Sequence, residues 1–403
     1  MPYRWELLLW LSLAFFFNQA DRQIFHVVMP LIKADLGLSD VQLGLVASVF
    51  SAVLAVTVPF AGYAGDAWSR SRIVTGSLLA WSVASFLTGF APGFLYFVLI
   101  RSIATGVGEG FHAPAAYALI SQHHSETRAR AMSIHQTSVY AGVVASGALA
   151  GYVGERFGWR SAFWIFGGAG VLLAAVMARR LRWTAPVAAP GGWDLRAAFA
   201  ILLRTPSALL LSVAFCSMVF VNVASLAWMP TYLHERFSMS VAEAGFASMF
   251  YLHAAAFAGV LGSGRLSDRL ALRAPSLRAA MQTAGLLGWA PFLFLLSVAP
   301  DWPVACIALV GTGLFRGVYE ANIYAALHDV VPARFHSTAS SAMIASAYLI
   351  ACAAPVALAA VKQQAGLAAG IGWLAVVLLP GAAAAFLASR RFYAHDYALA
   401  NSH

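Results

Sequence analysis

Apolar stretches long enough to cross a bilayer follow one another along almost the whole chain, separated only by short polar links. A membrane-spanning helix needs roughly 20 consecutive apolar residues. Breaks at Gly, Pro and charged residues place twelve such spans near 6–31, 41–63, 73–91, 94–121, 131–154, 161–181, 207–233, 242–264, 277–298, 303–328, 338–360 and 368–389. Only 10% of the 403 residues carry charge and 61% are apolar, whereas a soluble domain holds about 25% charged residues. So few charges cannot cover an aqueous surface. The expected fold is an all-α membrane protein of twelve transmembrane helices, with little chain left for a soluble domain. The opening run, Met1 to Phe17, has one Arg before apolar residues like a signal peptide. No small-residue cleavage site follows and the helix continues through Asp21 and Arg22, so it is read as a retained first span.

Basic residues set the orientation. With the N-terminus inside, 17 of the 25 Lys and Arg fall in cytoplasmic segments, among them Arg70, Arg72, Arg179, Arg180, Arg269 and Arg278. Lys33, Arg156, Arg160, Arg236 and Lys362 fall outside. This bias favours both termini cytoplasmic in a bacterial-type inner (plasma) membrane. It also accounts for the net charge of +9 as a contact with anionic lipid headgroups rather than with nucleic acid. Cys216, Cys306 and Cys352 lie in apolar runs with no CxxC or His/Cys spacing, so neither a metal nor a cofactor is expected.

The chain repeats itself. Gly62 and Asp66, followed by Arg70 and Arg72, close the second span, and Gly264, Asp268 and Arg269 close the eighth; the two Asp residues lie 202 positions apart. Glu109 maps onto Glu320, and Ala131-Met132 onto Ala342-Met343, at a spacing of 211. Two echoes at nearly one period imply two pseudo-symmetric six-helix bundles, 1–182 and 207–403, joined by a cytoplasmic linker at 183–206, with a binding site expected between them at mid-membrane.

The paired G-x-x-x-D loops after spans two and eight resemble the signature of the major facilitator superfamily. Phe17 to Arg22, Gly106-Val107-Gly108-Glu109 and Gly158-Trp159-Arg160 resemble its Spinster-like lipid transporters and their bacterial relatives. Those relatives place the span-four Arg seven residues before the Glu, whereas Arg101 lies eight before Glu109. The resemblance implies that the loop motifs (Gly62, Asp66, Arg70, Arg72; Gly264, Asp268, Arg269) form a cytoplasmic latch. A carboxylate there suits the positive end of a neighbouring helix dipole.

Six ionisable residues sit well inside spans: Asp21, Arg22, Arg101, Glu109, Arg316 and Glu320. Each costs about 2.5–3.5 kcal/mol against lipid on insertion scales, so they are expected to face the protein interior. Asp21 is expected to meet Arg101. Arg316 and Glu320, four apart on one helix face, are expected to meet each other. Proton coupling is assigned to Asp21, Glu109, Glu320 and His112, with Glu109 as the titrating carboxyl. His135 and His253 are read as packing residues. Arg22, Arg101 and Arg316, with Asn18, Tyr140, Asn222 and Tyr324, are the expected substrate contacts, since guanidinium groups suit carboxylate or phosphate. Gly142, Ser146, Gly147, Gly151 and Gly154 give the fifth span a small-residue face for close helix approach.

The chain is therefore expected to be a monomeric secondary transporter, not an enzyme. It is expected to be proton-coupled and to work by alternating access on a small anionic or zwitterionic solute or a lysolipid. No GxxxxGK[ST] nucleotide loop is present. An intramembrane enzyme using Glu109 and His112, and a non-transporting receptor, are the alternatives.

Overall fold

The computed structural model describes residues 2–124, 127–182, 195–332 and 335–400, without the side chains at 59, 62–67, 128–129, 133, 195–198 and 337–338. Among the described residues all regular structure is helical. The first half runs α1 (Tyr3–Leu36), α2 (Asp40–Ala67) and α3 (Arg70–Thr88). Its fourth span is built in pieces: α4 (Phe94–Tyr96), a π-helical turn over Phe97–Ala104, α5 (Thr105–Gly110) and α6 (His112–His123). It ends with α7 (Arg128–Phe157) and α8 (Trp159–Arg180). The second half runs α9 (Leu195–Arg204), α10 (Pro206–Phe237), α11 (Val241–Ala271), α12 (Leu277–Val298), α13 (Trp302–Glu320), α14 (Ile323–Val330), α15 (His336–Ala351) and α16 (Ala354–Leu387). A π turn over Ala388–Phe392 and α17 (Tyr393–Ala400) complete it.

Eight described stretches are long and apolar enough to cross a membrane. One of them, Ala339–Ala400, holds two spans, because Gly366 at φ 83° breaks α16. The helices α1, α3 and α7 are more polar because they bury Asp21, Ser85 and His135 among others. With these three the described residues make twelve crossings, an all-α multi-pass membrane protein. The short helix α9 was not anticipated: it lies in the stretch read as linker, of which 183–194 falls outside the described residues.

Contacts divide the chain into two compact units. The first is Met1–Trp193 with Leu226–Met249, and the second is Asp194–Ser225 with Phe250–His403. In the first unit Leu7 and Leu11 of α1 pack with Val74 and Trp81 of α3, Leu119 of α6 and Met177 of α8. The glycine face of α7 serves two neighbours. A Cβ on Gly142 would meet the Phe16 carbonyl oxygen of α1 at 2.4 Å, and one on Gly147 would meet the Gly245 carbonyl oxygen of α11 at 2.4 Å. Only hydrogen side chains allow these backbones to touch. The Glu155 carboxylate accepts the Val241 amide at 2.6 Å, tying the first turn of α11 to α7.

The two halves of the sequence carry the repeat in local detail. Ser39 and Gln42 bond reciprocally (Ser39 amide to Gln42 Oε1, 2.9 Å; Gln42 amide to Ser39 Oγ, 3.2 Å). Ser240 and Glu243 do the same at 2.9 and 3.2 Å. These capping boxes start spans two and eight. The turns after spans five and eleven each hinge on a glycine at φ 83°, Gly158 and Gly366, a backbone region that other residues avoid. In the first unit Trp81 packs against Gly108; in the second Tyr319 packs against Gly285, with bulk and glycine exchanged between the helices.

Gly147→Ala is expected to lower stability by about 1–3 kcal/mol, the usual range for overpacking a tight contact. Thermal unfolding in detergent micelles measures it, and unchanged stability would show that the α7–α11 contact can open without cost.

Candidate functional site

The first unit concentrates charge at one depth. Asp21 and Arg22 sit mid-way along α1, and both are placed against the fourth span. Arg101 donates to the Asp21 carboxylate (Nη1 to Oδ2, 3.5 Å) and to the backbone carbonyls of Asp21 (3.0 Å) and Arg22 (3.2 Å). Ser85 Oγ, from α3, donates to the same Asp21 Oδ2 at 2.5 Å. Arg22 Nε donates to Glu109 Oε2 at 2.5 Å. Glu109 Oε1 is buried and has no hydrogen-bond partner. The Phe50 ring of α2 lies 5.0 Å from the Arg101 guanidinium carbon and 5.9 Å from that of Arg22, cation–π range for both. Two acids and two bases thus form a quartet that is neutral when all four are ionised. Asp21, Arg101 and Glu109 are almost wholly buried, at 3%, 3% and 2% exposure.

The irregular fourth span makes this possible. In an unbroken α-helix, residues seven apart nearly eclipse, whereas residues eight apart diverge by about 80°. Arg101 and Glu109 are eight apart, yet both face α1. The π turn over Phe97–Ala104 contains Arg101 and absorbs the extra residue in a wider loop of backbone. Ser85 and Phe50 complete the site and were not assigned from sequence. Ser85 continues a line of buried hydroxyls on α3 that includes Ser71, Thr75 and Ser82, which is a sequence signal for a polar neighbour.

The other expected site residues are placed as follows. Asn18 is buried, and its Oδ1 accepts from Gln19 at 3.0 Å. His112 is fully buried three residues after Glu109, and Tyr140 is half-buried on α7. In the second unit Arg316 Nε donates to Glu320 Oε1 at 2.9 Å, while Arg316 Nη1 is buried without a hydrogen-bond partner. Asn222 is half-buried on α10 and Tyr324 is exposed on α14. Arg101, expected to contact substrate, has its guanidinium committed to Asp21 and to two carbonyls of α1.

The side chains of Gly62 and Asp66 fall outside the described residues, so the first latch motif is not placed; Arg70 is half-buried and Arg72 exposed. The second motif lies among the described residues. Asp268 is held by Arg278 (3.3 Å), not by the neighbouring Arg269, which is exposed beside half-buried Gly264. Arg278 also meets Asp329 at 3.2 Å, and Tyr393 donates to Asp329 at 2.9 Å. The reason is geometric: a side chain adjacent in sequence on a helix points about 100° away, whereas Arg278 comes from the next helix, α12.

Comparison with known proteins adds to this geometry. A family model described as Major Facilitator Superfamily matches residues 11–355. Sodium-dependent phosphate transport protein 1, chloroplastic, from Arabidopsis thaliana is 28% identical over 362 residues, covering 82% of this chain and 68% of the relative. Protein spinster homolog 1 from Homo sapiens is 29% identical over 368 residues, covering 83% and 68%. A crystal structure of a bacterial homolog to the human lysosomal transporter Spinster, inward-facing and unoccupied, superposes with a TM-score of 0.84 at 23% identity, covering 97% of this chain and 98% of that one. Both curated relatives are longer than this chain, whose match covers 68% of each.

Deleting Ile103, 40% exposed on the outer side of the π turn, is expected to leave a regular α-helix with Arg101 still facing Asp21. Inserting one alanine after Ile103 is expected to swing Arg101 away by about 100° and to cost about 3–5 kcal/mol by stranding a buried acid. Denaturation in detergent compares the two. If the insertion is tolerated as well as the deletion, the π turn does not set the register.

Proposed function

Because the chain belongs to the major facilitator superfamily and is a multi-pass membrane transporter, we propose that it is a proton-coupled secondary transporter with Glu109 as its proton-binding carboxyl. The observation that carries this reading is the unpartnered Oε1 of Glu109. A proton arriving there leaves the Arg22 bond on Oε2 intact, yet changes the charge of the whole quartet by one. Arg22 is then in excess. It comes from α1, so any rearrangement of α1 against the fourth span is biased by that proton. A transporter couples when an ion and a conformational equilibrium share such a bistable contact.

The solute fits an anionic or zwitterionic organic class. The relatives named above include a phosphate transport protein and a Spinster homologue. A small organic anion and a lysolipid-like amphiphile are therefore the two arms to compare, with Arg22 and Arg316 as the cationic contacts. We place the chain in a bacterial-type inner membrane with both termini cytoplasmic. Its two six-helix domains, 1–182 and 207–403, would work as a monomer by alternating access, with Asp66 and the Asp268–Arg278 pair at the cytoplasmic latch.

The test is flux into proteoliposomes across an imposed pH gradient, with labelled lysophosphatidylcholine and a panel of small carboxylates. Glu109→Gln is expected to lose gradient-driven uptake while keeping counterflow exchange. Gradient-driven uptake at the unmodified rate in that variant would remove Glu109 from the coupling role.

A further inference from the structure

Beyond the quartet, the first unit buries a pair of histidines on neighbouring helices. His112 on α6 and His135 on α7 are both 0% exposed, and all four of their ring nitrogens lack a hydrogen-bond partner. A neutral imidazole carries one N–H donor and one lone pair. Leaving such groups unsatisfied in a buried place carries their full desolvation cost. Structural histidines are ordinarily satisfied by a carbonyl or a hydroxyl, as His124 is in this same unit, at 2.8 Å from the Arg4 carbonyl oxygen and 2.9 Å from Thr127 Oγ1. His112 has the Val74 backbone of α3 within its reach, and both rings are packed among aromatic side chains. Phe15 of α1 stacks on His135 at 4.6 Å and 4° and on His112 at 5.9 Å and 27°, and Trp81 of α3 meets His112 edge-on at 5.0 Å.

More unsatisfied polar atoms gather on the same elements. Ser12 Oγ lies one turn before Phe15 on α1, Thr75 Oγ1 is on α3, and Glu109 Oε1 lies three residues before His112; each is buried without a hydrogen-bond partner. The groups against the two rings are Arg22 from α1 and the Val74 backbone of α3, both reaching His112, and Tyr117 from α6, edge-on to His135 at 5.5 Å; Glu109 lies three residues before His112 in the chain. The Trp81 ring of α3, which carries no charge, also faces His112.

We propose that His135 and His112, bridged by internal water, form a proton relay between Glu109 Oε1 and the end of the bundle where the chain begins. Polar orphans this concentrated are the setting in which buried water is retained, each molecule making two to four bonds to otherwise unpaired groups. The step balances. His135 takes a proton on its lone-pair nitrogen and releases the proton of its other nitrogen to a bridging water. That water protonates His112, which releases its own N–H proton through water to Glu109 Oε1. Each ring ends neutral in the opposite tautomer, and the net change is one proton on Glu109. Phe15 stacks on both rings and so fixes their planes relative to each other. The relay rests on the reading of Glu109 as the proton-binding carboxyl.

The test needs no transported solute. Time-resolved infrared spectroscopy of the purified, full-length protein in detergent follows formation of the Glu109 carboxylic acid after an acid pH jump, with the band identified by its loss in Glu109→Gln. His112→Gln and His135→Gln are each expected to slow that band by at least about tenfold with unchanged final amplitude. The double variant is expected to be no slower than either single one, because the two act in series. A Glu109 band that forms at the unmodified rate in both Gln variants overturns the relay while leaving Glu109 as the proton site. Absence of any Glu109 band in the unmodified protein overturns the reading of Glu109 itself. Should the Gln variants not fold, the unmodified protein still decides: multi-step proton transfer makes the band form more slowly in D2O, and equal rates in both solvents overturn the relay.

Discussion

The contact on which the first unit depends is the one Arg101 makes with α1. A guanidinium buried at 3% exposure is held by a carboxylate and by two main-chain carbonyls one residue apart. Those carbonyls already belong to the hydrogen-bond ladder of α1 and offer Arg101 their second lone pairs. The charge is thereby solvated by protein where water and headgroups are out of reach. Removing one member of such a pair typically costs about 3–5 kcal/mol, because the other charge is left behind. The neutral sum of the quartet matters for the same reason. Two acids and two bases in apolar surroundings are tolerable only together, so α1, α3 and the fourth span are fixed to one another through Asp21, Ser85, Arg101, Arg22 and Glu109.

Much of this was legible in the sequence, because the cost of charge in lipid leaves few arrangements open. The six intramembrane charges had to face inward, and Asp21 with Arg101 and Arg316 with Glu320 are found in contact. Twelve apolar runs with a doubled loop motif implied a repeated all-helical membrane fold, and the capping boxes at Ser39 and Ser240 repeat it in finer detail. What sequence spacing missed were departures from the regular helix and contacts between helices. The π turn cannot be seen in a pattern that assumes 3.6 residues per turn; its one trace was the extra residue between Arg101 and Glu109. Arg278 was counted as a topology signal only, because nothing in its neighbourhood on α12 reveals that Asp268 and Asp329 lie opposite it. Helix α9 was hidden in a stretch whose Pro and Gly residues drew attention to the linker before it.

The repeat also exposes what the two units do differently. In each, the helix breaks directly after the duplicated glutamate: α5 ends at Gly110, one residue past Glu109, and α13 ends at Glu320. The segments that follow, α6 from His112 and α14 from Ile323, begin 211 residues apart. Both breaks shift the helix and free backbone groups, and in the second unit Asn322 takes up several of them. Its carbonyl accepts from Gln282 at 2.9 Å, its amide nitrogen donates to the Val318 carbonyl at 3.1 Å, and Ser267 bonds its side-chain oxygen. The same architecture thus carries a hydroxyl–amide network in one unit and a charged quartet with two histidines in the other.

That difference bears on coupling. Glu320 pairs with Arg316 one turn back on its own helix. An i, i+4 pair moves as one body with the helix that bears it, so its energy is nearly blind to where neighbouring helices stand. Glu109 pairs with Arg22, which belongs to a different helix. A cross-helix ion pair changes in strength with the separation of the two helices, and the proton affinity of its acid changes with it. Of the two duplicated glutamates, only Glu109 has its charge state tied to a displacement between elements, which linkage requires of any group that converts proton binding into motion. On the proposed reading the first unit is therefore the proton-sensing half, while in the second unit Arg316 keeps an Nη1 that is buried and without a hydrogen-bond partner.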